Sequence, residues 1–226
     1  MTKTEEPRAG EPRAQEPRAE GLRALKKRQT RLAISHAATR LFLERGFDKV
    51  TIAEIAEAAQ VAKMTVTNYF PRKEDLALDV HAEFVAWLAG TVRDRAPGES
   101  ALAALRRAYL DAVDRREALI GFSGEPFARM LTGSPTLVAR IRELHEEREA
   151  ALAEALAETS DQGGLTARIA AAQFGAVHRV LFDEALRRTV DGQTHEEIAA
   201  ALTGAAHEAF DLLEPSLGGY TPRADP

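Results

Sequence analysis

Residues 51–75, TIAEIAEAAQVAKMTVTNYFPRKED, are the stretch that decides the fold. Thr51 and Glu54 have the T-x-x-E spacing of a capping box, which predicts that a helix begins here. Apolar residues then recur at positions 52, 55, 56 and 59 and form one face of that helix. The pattern stops at Gln60 and Val61 and restarts at Lys63. Two short helices joined by a tight turn are typical of helix-turn-helix DNA-binding proteins.

The second short helix divides into an inward and an outward face. Val66 and Phe70 lie four residues apart and are predicted to face the core. The other side chains are predicted to face more or less outward: Lys63, Met64, Thr65, Thr67, Asn68 and Tyr69. Such a set can hydrogen-bond to base edges or phosphates and can contact a thymine methyl group. The alternative for so short a segment is an ordinary surface helix.

The distribution of charge favours the DNA-binding interpretation. Residues 22–80 carry 11 Lys/Arg and 7 Asp/Glu, whereas residues 81–226 carry 15 and 23. The basic run 22–32, LRALKKRQTRL, includes Arg28 and contains no acidic residue. Because the whole chain has a net charge of −5, this asymmetry predicts that one end meets phosphate and the other does not.

The run from Arg31 to Leu76 resembles the N-terminal domain of TetR-family transcriptional regulators. It has a Gly-Phe corner, a Val-Thr opening of the second helix and a Tyr-Phe-x-x-Lys-Glu-Asp-Leu exit. The resemblance implies an all-α chain, with a three-helix DNA-binding domain and a helical domain that dimerises and binds a small effector. By position it implies phosphate contacts from Thr51, Tyr69 and Lys73 and major-groove contacts from Lys63, Met64, Thr65, Thr67 and Asn68.

The sequence departs from the family pattern inside the motif. Gln60 occupies the turn position where the family usually has Gly, and a positive φ there costs a non-Gly residue about 1 kcal/mol. Ala62 replaces the usual capping Ser, which loses about 1 kcal/mol. Met64 and Thr67 replace the usual Gly and Tyr, so an operator sequence cannot be taken over by analogy.

The first 20 residues are predicted to be a disordered tail. Three copies of the pentapeptide E-P-R-A-x fill positions 6–20 and contain no large apolar side chain. The alternative is an arm that reaches the minor groove through Arg8, Arg13 and Arg18. The tail carries 4 basic and 5 acidic residues, which favours a solvating role.

Further along, Gly and Pro residues divide the chain into about nine predicted helices. Beyond the motif these helices cover 73–94, a segment starting at Ser100, 135–159, a segment from about 165 to 190, and 194–213, with an irregular stretch at 119–133. The predicted DNA-binding domain is 21–72, the effector-binding and dimerisation domain is 73–214, and 215–226 is a tail.

The last two predicted helices, the eighth and ninth, are the expected homodimer surface. Their apolar residues are Ala170, Ala171, Val177, Val180 and Leu181 on the eighth and Ile198, Ala201, Leu202, Ala205 and Phe210 on the ninth. Two such helices from each subunit could form a four-helix bundle around a two-fold axis. The alternative is that these faces belong to the internal core.

The large side chains of the C-terminal part are the candidates for an effector pocket. They are Phe84, Trp87, Phe122, Phe127, Met130, Phe174, His178 and Phe182. Each of them taken singly is more often core. A loose resemblance of this region to TetR-type regulators of acyl-CoA-like ligands favours an apolar or acyl-bearing effector over a compact ionic one.

Composition excludes several other classes of protein. The chain has no cysteine, which removes disulfides and thiolate chemistry, and no apolar run long enough for a membrane span. A cytoplasmic protein without a cofactor is therefore expected. No catalytic motif is present, so an enzyme is the weakest alternative. An architectural DNA-binding protein is the second alternative, although an acidic domain of this size is needless for coating DNA.

Overall fold

A computed structural model describes residues 16–159 and 164–220, and all regular structure within these ranges is helical. The ten α-helices are α1 (Glu16–Arg45), α2 (Ile52–Ala58), α3 (Lys63–Tyr69), α4 (Glu74–Ala77), α5 (His81–Arg93), α6 (Ala101–Arg115), α7 (Glu125–Gly133), α8 (Pro135–Glu158), α9 (Gly164–Val190) and α10 (His195–Leu217). The all-α prediction is confirmed. Residues 1–15 of the predicted tail, with Arg8 and Arg13, lie outside the described residues, whereas residues 16–20 already belong to α1.

The helix-turn-helix forms as the local sequence predicts. The Thr51 hydroxyl accepts a hydrogen bond from the Glu54 N–H at 3.3 Å, and the Thr51 N–H donates to the Glu54 carboxylate at 2.8 Å, so the capping box is complete. Gln60 in the turn has a φ of 55°, in the left-handed region. Ala62 provides no side-chain cap to α3. Both departures predicted from the sequence are therefore present.

The single helix predicted over residues 73–94 is wrong, because it is divided into α4 and α5 at residues 78–80. No Gly or Pro marks this break, so a tertiary contact must override local preference. Asp79 supplies that contact, since its carboxylate accepts a hydrogen bond from the Ser35 hydroxyl. Its backbone carbonyl accepts one from the Arg31 guanidinium at 3.0 Å. Both donors lie on α1.

The stretch 119–133 is more regular than predicted, because it contains α7. Its helix-breaking residues lie at the ends of the helix: Gly124 is the N-cap, Pro126 lies in the first turn and Gly133 is the last residue. The predicted end of the last helix before Pro215 is also wrong, because α10 continues through Pro215 to Leu217. The buried side chains of Leu217 and Tyr220 hold this extension against the core.

Two hydrophobic cores hold the helices together. The first joins the helix-turn-helix to the near ends of α5, α7, α8 and α9 and includes Phe42, Val66 and Phe182. The second is built by α5, α6, α8, α9 and α10 around Tyr109 and Phe210. The first core crosses the domain boundary predicted at residue 73. Movement in the C-terminal part is therefore mechanically connected to the helix-turn-helix.

Candidate nucleic-acid interface and effector cavity

The face of α3 that points away from the core carries the predicted major-groove residues. Lys63, Met64 and Asn68 are exposed, whereas Thr65, Thr67 and Tyr69 are half-buried. The Thr67 hydroxyl donates to the Met64 carbonyl at 3.1 Å, so it is directed along its own helix. This face offers an ammonium group, an amide and a thioether to a binding partner.

The opposite face of α3 is fixed to the core. Val66 and Phe70 are buried, as predicted. The guanidinium of Arg31 lies 4.3 Å from the centroid of the Phe70 ring and also donates to the Tyr69 carbonyl at 3.3 Å. Arg31 therefore ties the end of α3 to α1 and to the α4–α5 break. A well-anchored helix of this kind presents its outer side chains in one orientation.

The start of α1 is a row of exposed basic residues. Arg23, Lys26, Lys27 and Arg28 are all exposed, so the positive charge predicted from the sequence is on the surface. Phosphate contacts need accessible cations but no fixed geometry. This segment can supply the sequence-independent part of DNA binding.

Thr51 is exposed at the N-cap of α2 and is held by Glu54. The Thr51 hydroxyl donates to the Glu54 carboxylate at 2.8 Å, and Arg45 donates to the same carboxylate at 2.7 Å. These hydrogen bonds lower the pKa of Glu54 to about 2, with the Thr51 backbone N–H as the largest cause and the Arg45 side chain as the next. The helix start therefore stays rigid at neutral pH.

Lys73 is the predicted phosphate contact whose position differs most from expectation. Its ammonium donates to the Phe47 carbonyl at 2.6 Å and lies 4.2 Å from the centroid of the Phe47 ring. Burial lowers the pKa of Lys73. In the free protein Lys73 thus connects the corner after α1 to α4. The ammonium keeps two further N–H donors, so it can contact a phosphate without leaving the Phe47 carbonyl.

A mostly apolar cavity of about 290 Å³ lies beside the α4–α5 break. Four of the eight predicted effector residues line it: Phe84, Phe122, Phe127 and Phe182. Leu78, Asp79 and Val80 of the break form another part of its wall. Gly121, with a φ of 102°, packs closely against α9: a Cβ added at this position would lie 2.8 Å from the Ala185 Cβ.

The other four predicted effector residues lie elsewhere. Trp87, Phe174 and His178 belong to or pack against the second core, where the His178 ring is 5.6 Å from Trp87 and 5.8 Å from Phe210. Met130 borders a groove against α1. Aromatic content alone did not separate residues that line a cavity from residues that fill a core.

A second, more polar cleft of about 410 Å³ lies between α8 and α9. It shares the wall residues Leu131, Ile141 and Leu186 with the apolar cavity. Its charged and polar lining includes Arg142, His145, Glu146, Glu149, Arg179 and Asp183. The two spaces are neighbours separated by one layer of side chains.

A buried ion pair that was not predicted from the sequence connects α4 to α8. Arg140 donates to the Asp75 carboxylate at 3.2 Å, and both side chains are buried. Arg140 also reaches Glu143 at 3.0 Å and Glu147 at 2.8 Å. Glu143 in turn pairs with Arg72 at 2.7 Å. The i, i+3 and i+7 spacing of Arg140, Glu143 and Glu147 on one helix face was the available signal.

An exposed apolar stripe runs along α9. The exposed fractions are 68% for Leu165, 53% for Ile169 and 56% for Val180, and Leu212 on α10 is 80% exposed. Of the residues named from the sequence, Ala170, Ala171, Leu181, Ile198, Leu202 and Phe210 are buried inside the protomer, so their expected place on the surface is wrong. The helices remain the candidate dimer surface, but through a different stripe.

Comparison with known proteins decides the family. The sequence model described as bacterial regulatory proteins of the tetR family matches residues 34–80. The chain is 32% identical over 207 residues to the HTH-type transcriptional regulator TcmR of Streptomyces glaucescens, covering 87% of this chain and 88% of the relative. The chain belongs to the TetR family of transcriptional regulators. The resemblance found in residues 31–76 is thereby confirmed.

Solved structures share the fold. GusR of Salmonella enterica superposes with a TM-score of 0.52 at 17% identity, over 84% of this chain and 96% of that chain. NalD, the secondary repressor of the MexAB-OprM multidrug efflux pump in Pseudomonas aeruginosa, gives 0.50 at 23% identity, over 87% and 98%. Among the described residues, no helix has the length and apolar character needed to cross a bilayer.

Proposed function

We propose that this TetR-family regulator is a homodimeric repressor that binds a palindromic operator and is released from it by a small, largely apolar effector. The observation that carries the proposal is the shared position of residues 78–80. They form one wall of the apolar cavity, and Asp79 at the same time holds α1 of the DNA-binding part through Ser35 and Arg31.

The exposed face of α3 supports the proposal that the protein recognises a specific DNA sequence. Lys63 and Asn68 can form hydrogen bonds with guanine and adenine edges, and Met64 can contact a thymine methyl group. Phosphate contacts come from Arg28, Thr51, Tyr69 and the free donors of Lys73. The half-buried Thr65 and Thr67 set the edge of the reading surface.

Dimerisation through α9 and α10 supports recognition of a palindrome. A single seven-residue helix can contact only a few base pairs, and two-fold pairing places two such helices in successive major grooves. The exposed stripe of Leu165, Ile169 and Val180 on α9 is the apolar surface that a second copy would cover.

Effector release follows from the cavity wall. A ligand that fills the space between Phe84, Phe122 and Phe182 pushes on the break at residues 78–80 and so on the hydrogen bonds from α1 to Asp79. The spacing of the two recognition helices then no longer matches the DNA. By reciprocity, the operator must weaken effector binding by the same factor.

A footprint on the promoter next to the gene tests the DNA-binding part, followed by a small-molecule screen for release. We expect protection of one palindrome. Lys63→Ala should alter base preference within it, whereas Lys26→Ala on α1 should weaken binding to all sequences and lower the salt dependence. Equal binding to every duplex would instead favour an architectural protein. A ligand that leaves operator affinity unchanged is not the effector.

A further inference from the structure

An arginine is buried beside the apolar cavity, and no acidic residue in the described part of the chain pairs with it. Arg148 of α8 is only 2% exposed. Its guanidinium lies 4.1 Å from the centroid of the Phe84 ring, and its Nη2 donates to Nδ1 of His145 at 3.0 Å. Within the described ranges 16–159 and 164–220, no carboxylate forms an ion pair with Arg148.

The groups around Arg148 leave hydrogen-bond donors unused. Because a guanidinium can only donate, Nδ1 of His145 must accept, and the neutral ring then carries its proton on Nε2. That Nε2, the Tyr109 hydroxyl and both ring nitrogens of His178 are buried and have no hydrogen-bond partner among the described residues. The cluster thus has a surplus of donors and one buried cation.

Electrostatics link these four side chains. Burial lowers the pKa of Arg148 to about 9, and burial together with the nearby Arg148 lowers the pKa of His145 to about 3. Burial, Arg148 and His145 also hold the pKa of His178 well below its usual range. Two neutral histidines therefore add no second charge, and the site has the single positive charge of Arg148. Natural proteins rarely leave such groups unpaired without a functional reason.

The cluster lies directly behind the cavity wall. Phe84 lines the cavity on one side, and its ring is covered by the Arg148 guanidinium. The Phe84 ring packs edge-on against Phe182 at 5.6 Å and against His145 at 5.1 Å. His145 borders the adjacent polar cleft. Movement of the Phe84 ring would open the cavity to the hydrogen-bond donors of the Arg148 cluster.

We infer that the effector carries a carboxylate, which binds Arg148 and the Tyr109 hydroxyl while its apolar body occupies the cavity at Phe122, Phe127 and Phe182. This inference rests on the effector cavity of the proposed function and adds the chemistry of the ligand. A carboxylate accepts from both arginine nitrogens and from a hydroxyl, which satisfies the donors that the free protein leaves unpaired.

Calorimetric titration of the full chain with matched probe pairs tests the inference. The pairs are 2-naphthoate with 2-naphthamide and decanoate with decanamide, which differ in charge but hardly in shape. We expect the carboxylate to bind at least about tenfold more tightly in one of the pairs, the factor that a charge-assisted hydrogen bond provides. Arg148→Met should remove most of this preference, since only the Tyr109 hydroxyl then still distinguishes the carboxylate from the amide.

Tyr109 and Tyr220 give a matched control that does not depend on the arginine variant folding. Both hydroxyls are buried and have no hydrogen-bond partner among residues 16–159 and 164–220, but only Tyr109 lies beside His178, with the rings 5.5 Å apart. Tyr109→Phe should reduce the preference for carboxylate several-fold, and Tyr220→Phe should leave it unchanged. Equal effects of the two variants would contradict the inference.

Other outcomes also overturn it. Equal affinity within both pairs, including no binding of any probe, contradicts a carboxylate-specific site, as does a preference that Arg148→Met leaves undiminished. The inference is also contradicted if an experimental structure of the probe-soaked protein shows internal water, and no probe, joining Arg148, Tyr109 and His178. Operator affinity is measured separately by fluorescence anisotropy, so absence of a carboxylate preference in a native protein that still binds its operator refutes this inference and not the proposed function.

Discussion

At the scale of single residues, Gln60 is the position where the helix-turn-helix departs most from the geometry its sequence prefers. Its φ of 55° places a side chain with a Cβ in the left-handed region, which glycine adopts freely. The strain costs roughly 1–2 kcal/mol. The turn is kept because α2 and α3 are both anchored, through Ile55 and Val66.

Gln60→Gly should therefore stabilise the protein. Relief of the strain exceeds the extra unfolded-state entropy of glycine by about 0.5–1 kcal/mol. Urea unfolding measures the change. The control is Ala53→Gly, at an exposed position inside α2, which should destabilise the protein by about 1 kcal/mol. A destabilised Gln60→Gly variant would mean that the Gln60 side chain makes a stabilising contribution of its own.

A charged residue on an apolar helix face is a sequence pattern that indicates a buried charge, and it was not used to predict the Arg148 cluster. Arg148 falls on the stripe formed by Leu144, Leu152 and Ala155, where an unpaired cation is unexpected. The capping box at Thr51 and the inward face of α3 were predictable because they depend on neighbours within four residues. The partners of Arg148, including Tyr109, come from other helices, and no local pattern reveals them.

At the scale of elements, a buried ion pair joins α4 to α8. A second, exposed ion pair lies next to it. Asp75 and Arg140 are both buried, whereas Arg72 and Glu143 are more than half exposed in their side chains. A buried carboxylate that loses its partner is strongly destabilising, and an exposed pair contributes little. The contact between the DNA-binding part and α8 thus depends on Arg140.

Arg140→Met should lower the free energy of unfolding by about 3 kcal/mol, because it leaves Asp75 charged and buried. Adding Asp75→Asn should recover part of that loss. Arg72→Met, the matched control, should cost less than about 1 kcal/mol. Chemical denaturation of the native protein, Arg140→Met, Asp75→Asn, the double variant and Arg72→Met measures these values. Additive losses in the double variant would show that the pair does not act as a unit.

The break between α4 and α5 shows what element-level prediction could not reach. Residues 73–94 have the composition of one helix, and neither Gly nor Pro occurs at the break at 78–80. The break is stabilised by Ser35 and Arg31, more than 40 positions away from Asp79 along the chain. In α7, by contrast, Gly124, Pro126 and Gly133 were visible, but they mark the ends of a helix and not its absence.

At the scale of the whole molecule, dimerisation is expected to depend on the exposed stripe of α9. Val180→Arg places a charge within that stripe, so it should convert the dimer into monomers and reduce operator affinity at least about a hundredfold. Analytical ultracentrifugation and anisotropy measure the two effects. Ala86→Arg, on the exposed side of α5, is the control and should change neither. A dimeric Val180→Arg protein would place the interface elsewhere.

Stability should also fall as the pH is lowered from about 6.5. The pKa of His178 and that of His145 are lowered by burial, so below pH 6.5 the unfolded chain binds protons that the folded chain does not. Each histidine contributes a slope of up to about 1.4 kcal/mol per pH unit, and the contribution is complete above pH 6.5. Glu54 loses its stabilising hydrogen bonds only further towards its pKa of about 2.

Urea unfolding between pH 5 and 7 measures this slope. His178→Leu should make the slope shallower, because it lowers by about one the number of protons taken up on unfolding. The leucine breaks no hydrogen bond, since His178 makes none within the described part of the chain. His207→Leu, at an exposed position, is the control and should leave the slope unchanged. A pH-independent stability of the native protein over this range would contradict neutral, buried histidines.

The most direct measurement of the central claim is the affinity for one palindrome compared with the same duplex in which one half-site is scrambled. Two anchored copies of α3 in successive major grooves predict that scrambling weakens binding at least about a hundredfold at physiological salt, since each half-site contributes several specific contacts. Lys63→Ala should lower the affinity for the intact palindrome more than for the scrambled duplex. Equal affinity for the two duplexes would contradict sequence-specific reading by a dimer.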